Sequence, residues 1–153
     1  MNSHHTVAIG TWEGDKQQSI EYNSSIAVGI DCPRAKLRVS ILLDTIQEYQ
    51  VRYIFSDEEI SEAVNEAGLI IGARGIAYEG VLQRKPVIVV GEYGFGGLVT
   101  PDTLHEQYNN YFRGKINGIK AEYFSLERLE EEIRRGSALT FQELQMMSNQ
   151  TIR

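Results

Sequence analysis

What the chain lacks narrows its possibilities first. It has one cysteine, Cys32, so no internal disulfide can staple it, and a reducing compartment fits that usage. It has no surplus of basic residues. Fifteen Lys and Arg against 21 Asp and Glu leave a formal net charge of -6, which argues against the broad basic face that a nucleic-acid binder needs. The anions such a protein meets should be small. No apolar run approaches the roughly 20 residues that cross a bilayer, and no basic segment followed by a hydrophobic stretch opens the chain. The expectation is a cytoplasmic protein without a transmembrane segment.

Chemical signatures are also missing. There is no spaced dinucleotide fingerprint and no phosphate loop ending in Gly-Lys-Ser/Thr, which sets aside nicotinamide enzymes and ATPases of those classes. No His, Cys, Asp and Glu cluster has metal-ligand spacing, and no serine-histidine-acid set can be assembled. No metal and no tightly bound cofactor are expected. Cys32 has no histidine nearby in sequence and stands at a strand end, which does not support a nucleophile. His105 falls inside a helical pattern and reads as a surface or packing residue. His4 and His5, in a polar N-terminal stretch, receive no role.

What is present is material for one core: 42% hydrophobic residues over 153 positions. From Ser24 to Gly91, short continuous apolar runs alternate with helical patterns, the signature of strand-helix-strand units around a parallel sheet with helices on both faces. The runs are Ser25 to Ile30, Val51 to Phe55, Leu69 to Ile71 and Val87 to Val90. Pro33 can open a helix near Arg34, with Leu37, Ile41, Leu42 and Tyr49 recurring on its inner side. Ser56 with Glu59 reads as a capping box before Ile60, Ala63, Val64 and Ala67. Thr100 then Pro101 reads as N-cap then first helical position. Ser125 opens a helix that Gly136 ends, and Thr140 with Glu143 starts a last one. Thr6 to Gly10 reads as a possible strand and Gly14 to Asn23 as loop or linker. The division expected is residues 1–23 as an N-terminal strand and linker, and 24–153 as the domain.

In an open parallel sheet, ligands bind outside the carboxyl ends of the strands. The loop Gly72-Ala73-Arg74-Gly75 follows one strand and leads into a helix near Ile76, where free amides and a partial positive charge suit a phosphate. Glu79, one turn on, can accept hydrogen bonds from vicinal ribose hydroxyls, or can simply be a favourable charge near a helix N-terminus. Gly91 to Gly97 holds four glycines in seven residues after the next strand, which favours close ligand contact and also fits a plain flexible turn. Arg34 and Lys36 follow the first strand and can neutralise a diphosphate or be solvated surface charges. The run Glu130 to Glu132 reads most simply as a solvated helix face, and otherwise as a protein-docking face.

The stretch Gly72-Ala73-Arg74-Gly75-Ile76-Ala77-Tyr78-Glu79, with Lys85-Pro86-Val87-Ile88 opening the next strand, resembles the donor-site segment of GT-B glycosyltransferases. The run Gly96-Gly97-Leu98-Val99-Thr100-Pro101 and the later Asn110-Tyr111-Phe112-Arg113-Gly114 resemble elements of a subset of that family. The similarity spans roughly Ser24 to Gly136. It implies the Rossmann-like C-terminal half of a GT-B enzyme, binding a nucleotide diphosphate sugar, UDP- or GDP-linked. By resemblance, Glu79 binds the ribose, Gly75 and Ile76 offer amides to the diphosphate beside Arg74, Phe55 and Ser56 lie by the base, and Tyr93, Gly94, Gly96 and Gly97 lie by the sugar. The family places its acceptor site on a separate N-terminal domain, so this chain is expected to be a C-terminal piece, inactive without that domain or subunit. Retaining members commonly carry an arginine and a glutamate where this sequence has Ile30 and Ile71. A sugar-nucleotide 2-epimerase-like domain and a non-catalytic interaction module of the same architecture are the alternative readings.

Overall fold

The computed structural model describes residues 7–10, 19–22, 24–115 and 118–151. It is an α/β protein built on a five-stranded, mostly parallel sheet with strand order β4-β3-β5-β6-β7. The strands are β3 (Ser25–Gly29), β4 (Gln50–Tyr53), β5 (Leu69–Gly72), β6 (Val87–Gly91) and β7 (Gly94–Leu98). Only β7 runs antiparallel to its neighbour. The helices are α1 (Pro33–Ile46), α2 (Ile60–Glu66), α3 (Arg74–Leu82), α4 (Leu104–Asn109), α5 (Leu126–Ser137) and α6 (Phe141–Thr151).

Each central strand is apolar on both sides, because both faces of the sheet are covered. Ile26, Val28, Leu69, Ile71, Ile88 and Val90 pack on one side with Val39 and Leu43 of α1 and Leu129 and Ile133 of α5. The alternating residues Ala27, Ile70, Val87 and Val89 pack on the other with Val64 of α2, Ala77 and Val81 of α3 and Met147 of α6. The chain leaves β3 toward β4, returns past β3 to β5, and then continues to β6. Right-handed crossovers therefore put α1 on one face and α2 and α3 on the other. The reversal falls between β3 and β5.

Several local expectations change. α1 starts at Pro33, but Leu37 and Ile41 are exposed, and Ala35, Val39, Leu42 and Leu43 make the inward stripe. The one-residue phase difference is invisible where apolar residues occur on both sides of a helix. Ser56 makes no side-chain cap; a 3-10 turn over Asp57–Glu59 precedes α2 instead. Thr100 to Thr103 is a turn closed by Thr100 and Thr103 on each other, and α4 begins only at Leu104. Thr140 and Glu143 do form a reciprocal capping box, and Ser125 caps α5 through Arg128 N–H. Before the main sheet, β1 (Val7–Gly10) pairs with β2 (Ser19–Tyr22) as an antiparallel hairpin, so part of the expected linker is strand. Thr6 and residues 11–18 and 23 lie outside the described residues.

The largest revision concerns the glycine tract. Gly91 to Gly97 is a tight turn at Glu92 and Tyr93 followed by strand β7, not a loop. Its glycines answer to packing: a Cβ on Gly91 would lie 2.5 Å from the Arg113 carbonyl oxygen. Gly97 has φ +79° beside a bulge where β7 slips register against Val89 and Val90. Opposite it, Glu132 is buried, accepting from Leu98 N–H (3.0 Å), Arg128 Nε (2.9 Å) and Arg135 Nη1 (3.1 Å). The acidic run on α5 is thus divided, with Glu132 serving the sheet.

Candidate functional site

Two strands whose following connections depart in opposite directions leave a crevice at their carboxyl ends. Here those strands are β3 and β5. A cavity of about 380 Å³ opens there, lined by the segments that follow four strands: Gly29 to Cys32 after β3, Ile54 to Asp57 after β4, Ala73 to Ile76 after β5, and Gly91 with Glu92 after β6. Ile60 and Tyr111 complete the wall. At about 4.8 Å between strands, the span from the β4 end to the β6 end is roughly 14 Å.

Two helix N-termini face into this space, those of α1 and α3. Both are uncapped: Cys32 and Ala73 hold the N-cap positions without a side-chain hydrogen bond. Neither has an acidic residue in its first turn, whereas α2, α4, α5 and α6 each have one. Acidic first turns normally offset the positive helix end. At α3 that charge is left for something else, while Asp31, one residue before the α1 N-cap, lines the cavity beside the other end. The Arg74 amide donates to the Phe112 carbonyl (3.1 Å), while the Gly75 and Ile76 amides lie in the first turn, where no intrahelical acceptor exists.

Gly75 differs from the other glycines at the cavity. A Cβ built on it would meet only Ile60 Cδ1 at 3.8 Å, an ordinary contact, and its φ is not in the left-handed region. On Gly72 the same atom would lie 2.5 Å from the Gly29 carbonyl oxygen. Packing therefore explains Gly72 but not Gly75. What Gly75 keeps clear is the cavity itself.

The expected site residues divide. Phe55, Ser56, Arg74, Gly75 and Ile76 line the cavity together. Phe55 is 73% exposed, and Lys36 Nζ sits 4.2 Å from its ring centre, which ties Lys36 to the β4 end as a cation over an aromatic face. Arg34 instead reaches Glu122 at 3.6 Å with its side chain 80% exposed, outside the cavity lining. Glu79 lies one turn beyond Gly75 on the same face of α3, about 6 Å along the helix. It accepts from Gln83 Nε2 at 2.7 Å and does not line the cavity. Tyr93, Gly94, Gly96 and Gly97 are outside it too, in or beside β7.

Sequence reasoning missed Asp31, Asp57, Glu92 and Tyr111 as cavity residues. Glu92 was hidden inside a tract read for its glycines. Tyr111 comes from a turn far along the chain, in which Tyr111 (φ 59°) and Phe112 (φ 57°) are both left-handed. Phe112 is fully buried, and Asn110 closes the turn through Nδ2 to the Gly114 carbonyl (2.7 Å) and Oδ1 from Arg113 N–H (3.1 Å). With Arg74 (φ 56°), three of the five non-glycine residues of positive φ among the described residues gather at this one place. Such conformations persist where surrounding structure enforces them, and they concentrate at ligand sites.

Among the described residues, no group of three or more His, Cys, Asp or Glu could hold a metal ion, and no helix is long and apolar enough to cross a membrane. No protein-family model, no curated protein and no solved structure matches the chain.

Proposed function

We propose that this chain binds a nucleoside diphosphate in the β3/β5 crevice, carried as a nucleotide sugar, and serves as the donor-binding half of a GT-B-type glycosyltransferase with a Rossmann-like three-layer arrangement. The observation that carries the reading is the uncapped α3 N-terminus, with no acidic residue in its first turn, opening on a cavity at the reversal of strand order beside the α1 N-cap. A diphosphate there would take amide hydrogen bonds from α3, and the dipoles of α1 and α3 would favour its charge. The same groups would stabilise it as a leaving group, which is the main catalytic service a donor domain supplies. Phe55 offers an aromatic face to a base at the β4 end. Glu79 is the ribose partner in this reading: it lies one turn beyond Gly75 on the same face of α3, and its second oxygen remains able to accept.

Glycosyl transfer also needs an acceptor site, which this reading assigns to a separate domain or subunit. A thermal-shift comparison of UDP, GDP and their sugars tests the core claim. At a ligand concentration of 100 Kd, stabilisation of about 2.7 kcal/mol is expected, or roughly 5–10 °C in Tm for a domain of this size. No stabilisation by any nucleotide would favour an interaction module that only shares the architecture.

A further inference from the structure

At the β6 end of the cavity, Arg74 and Glu92 of the lining join a charge cluster with Arg113, which stands behind Glu92 outside the lining; the nucleotide reading uses neither Glu92 nor Arg113. Arg74 Nη2 lies 2.5 Å from Glu92 Oε1, and Arg113 Nε lies 3.9 Å from Glu92 Oε2. Two guanidinium groups therefore share one carboxylate, leaving one positive charge unbalanced within the cluster. Arg113 Nε is buried, yet among the described residues it has no hydrogen-bond partner. Its Nη1 reaches the Tyr93 hydroxyl at 3.4 Å, and the guanidinium carbon sits 5.9 Å from the Tyr93 ring centre. A buried donor without an acceptor is costly, and it is tolerated where an acceptor arrives from outside the chain.

The backbone keeps both arginines at a fixed separation. Arg74 N–H donates to the Phe112 carbonyl, and Tyr93 N–H donates to the Arg113 carbonyl at 2.8 Å. The loops carrying Arg74, Glu92 and Arg113 are thus tied to one another. The pairings between side chains are weaker: Arg74, Glu92 and Arg113 have side chains 45%, 42% and 37% exposed, in the range where ion pairs contribute little. Carboxylate and phosphoryl groups are alternative partners for the same guanidinium fork.

We propose that Arg74 and Arg113 form the receptor for the phosphoryl group distal to the nucleoside, and that Glu92 is an internal competing anion. It holds the two arginines in the empty site and yields them when a phosphoryl group enters. This rests on the nucleotide reading for the identity of the ligand, and on the cluster for its chemistry. The consequence runs against ordinary expectation for a site carboxylate, because removing Glu92 should tighten binding.

Calorimetry at low ionic strength with UDP, GDP and inorganic pyrophosphate tests it on wild type, Glu92→Gln, Arg113→Gln and the double variant, each checked for an unchanged Tm. Glu92→Gln should bind its nucleotide and pyrophosphate at least threefold more tightly. Arg113→Gln should bind at least fivefold more weakly, and the double variant no more tightly than Arg113→Gln. Arg74→Gln replaces Arg113→Gln if the latter fails to fold. Equal or weaker nucleotide binding by Glu92→Gln overturns the competing role while the nucleotide reading stands. Tightened pyrophosphate binding without nucleotide binding supports the receptor and removes the nucleotide. No binding of any of the three by any variant overturns both.

Discussion

Gly75→Ala separates a glycine kept for a ligand from one kept for the fold. The added methyl would meet Ile60 Cδ1 at 3.8 Å and nothing nearer, at a residue whose own φ lies outside the left-handed region. Replacing glycine by alanine in a helix gains about 0.5–1 kcal/mol, with the lower figure apt for a first-turn position. The ligand-free Tm should therefore rise by roughly 1–2 °C. Gly75 and Ile60 both line the cavity, so the same methyl should crowd a ligand held on the first-turn amides. Charge-assisted hydrogen bonds are worth about 1.5–3 kcal/mol each, so holding a diphosphate away from one of them should weaken binding about 10- to 150-fold. Thermal unfolding without ligand and calorimetry with UDP and GDP measure the two effects separately. Opposite signs are the expected result. Wild-type affinity in Gly75→Ala would refute the approach of a phosphate to α3, and a lowered Tm would show that the glycine serves packing.

Gly97→Ala should do the reverse, costing about 1–2 kcal/mol because its φ of +79° disfavours a side chain, with nucleotide affinity unchanged by calorimetry. Glu132→Ala leaves the buried Leu98 amide without its acceptor and two arginines without their carboxylate. Since both arginines are half exposed and can rehydrate, a loss of about 2–3 kcal/mol is expected, read as a lower urea midpoint at constant slope. Lys85 donates to the Asn65 and Ala67 carbonyls at the end of α2, and burial lowers its pKa below the ordinary 10.5. Its charged form is penalised in the folded state, so that penalty is complete below the lowered pKa and disappears as pH rises to 10.5. The Tm of wild type relative to Lys85→Met should accordingly climb with pH across that window, and a constant difference would contradict the assignment.

The four parallel strands were legible because short apolar runs of three to six residues between helical patterns have few other readings. Helix phase was less legible: Leu37 and Ile41 repeat as well as Val39 and Leu43 do, and only the sheet decides which pair turns inward. Of the cavity residues, Arg74 to Ile76 were readable because they follow a strand and open a helix, whereas Phe55 and Ser56 came only from the family resemblance. At Gly94 to Gly97, glycine density did not reveal a strand. Several glycines in a row signal close backbone approach without saying what approaches: at Gly96 and Gly97 it is the Gln107 and Glu132 side chains, and at Gly91 and Gly94 it is the segment 113–115, whose Arg113 carbonyl also accepts from Tyr93 N–H.

That segment also explains why the β6 end of the cavity is built from residues so distant in sequence. Two consecutive left-handed residues at 111 and 112 cost about 1–2 kcal/mol each. Burying the Phe112 side chain completely returns about 2–3 kcal/mol, and the Asn110 bonds to Gly114 and Arg113 close the turn. The turn is therefore near balance on its own, and its position is fixed by attachment: Phe112 to α3 through the Arg74 amide, Arg113 to the β6–β7 turn through the Tyr93 amide. Because both attachments end on residues flanking Glu92 or paired with it, a shift of this turn moves Tyr111 and Arg113 together relative to the α3 N-terminus. The aromatic wall and the second guanidinium thus act as one unit, held in place by the Arg74 and Tyr93 amides.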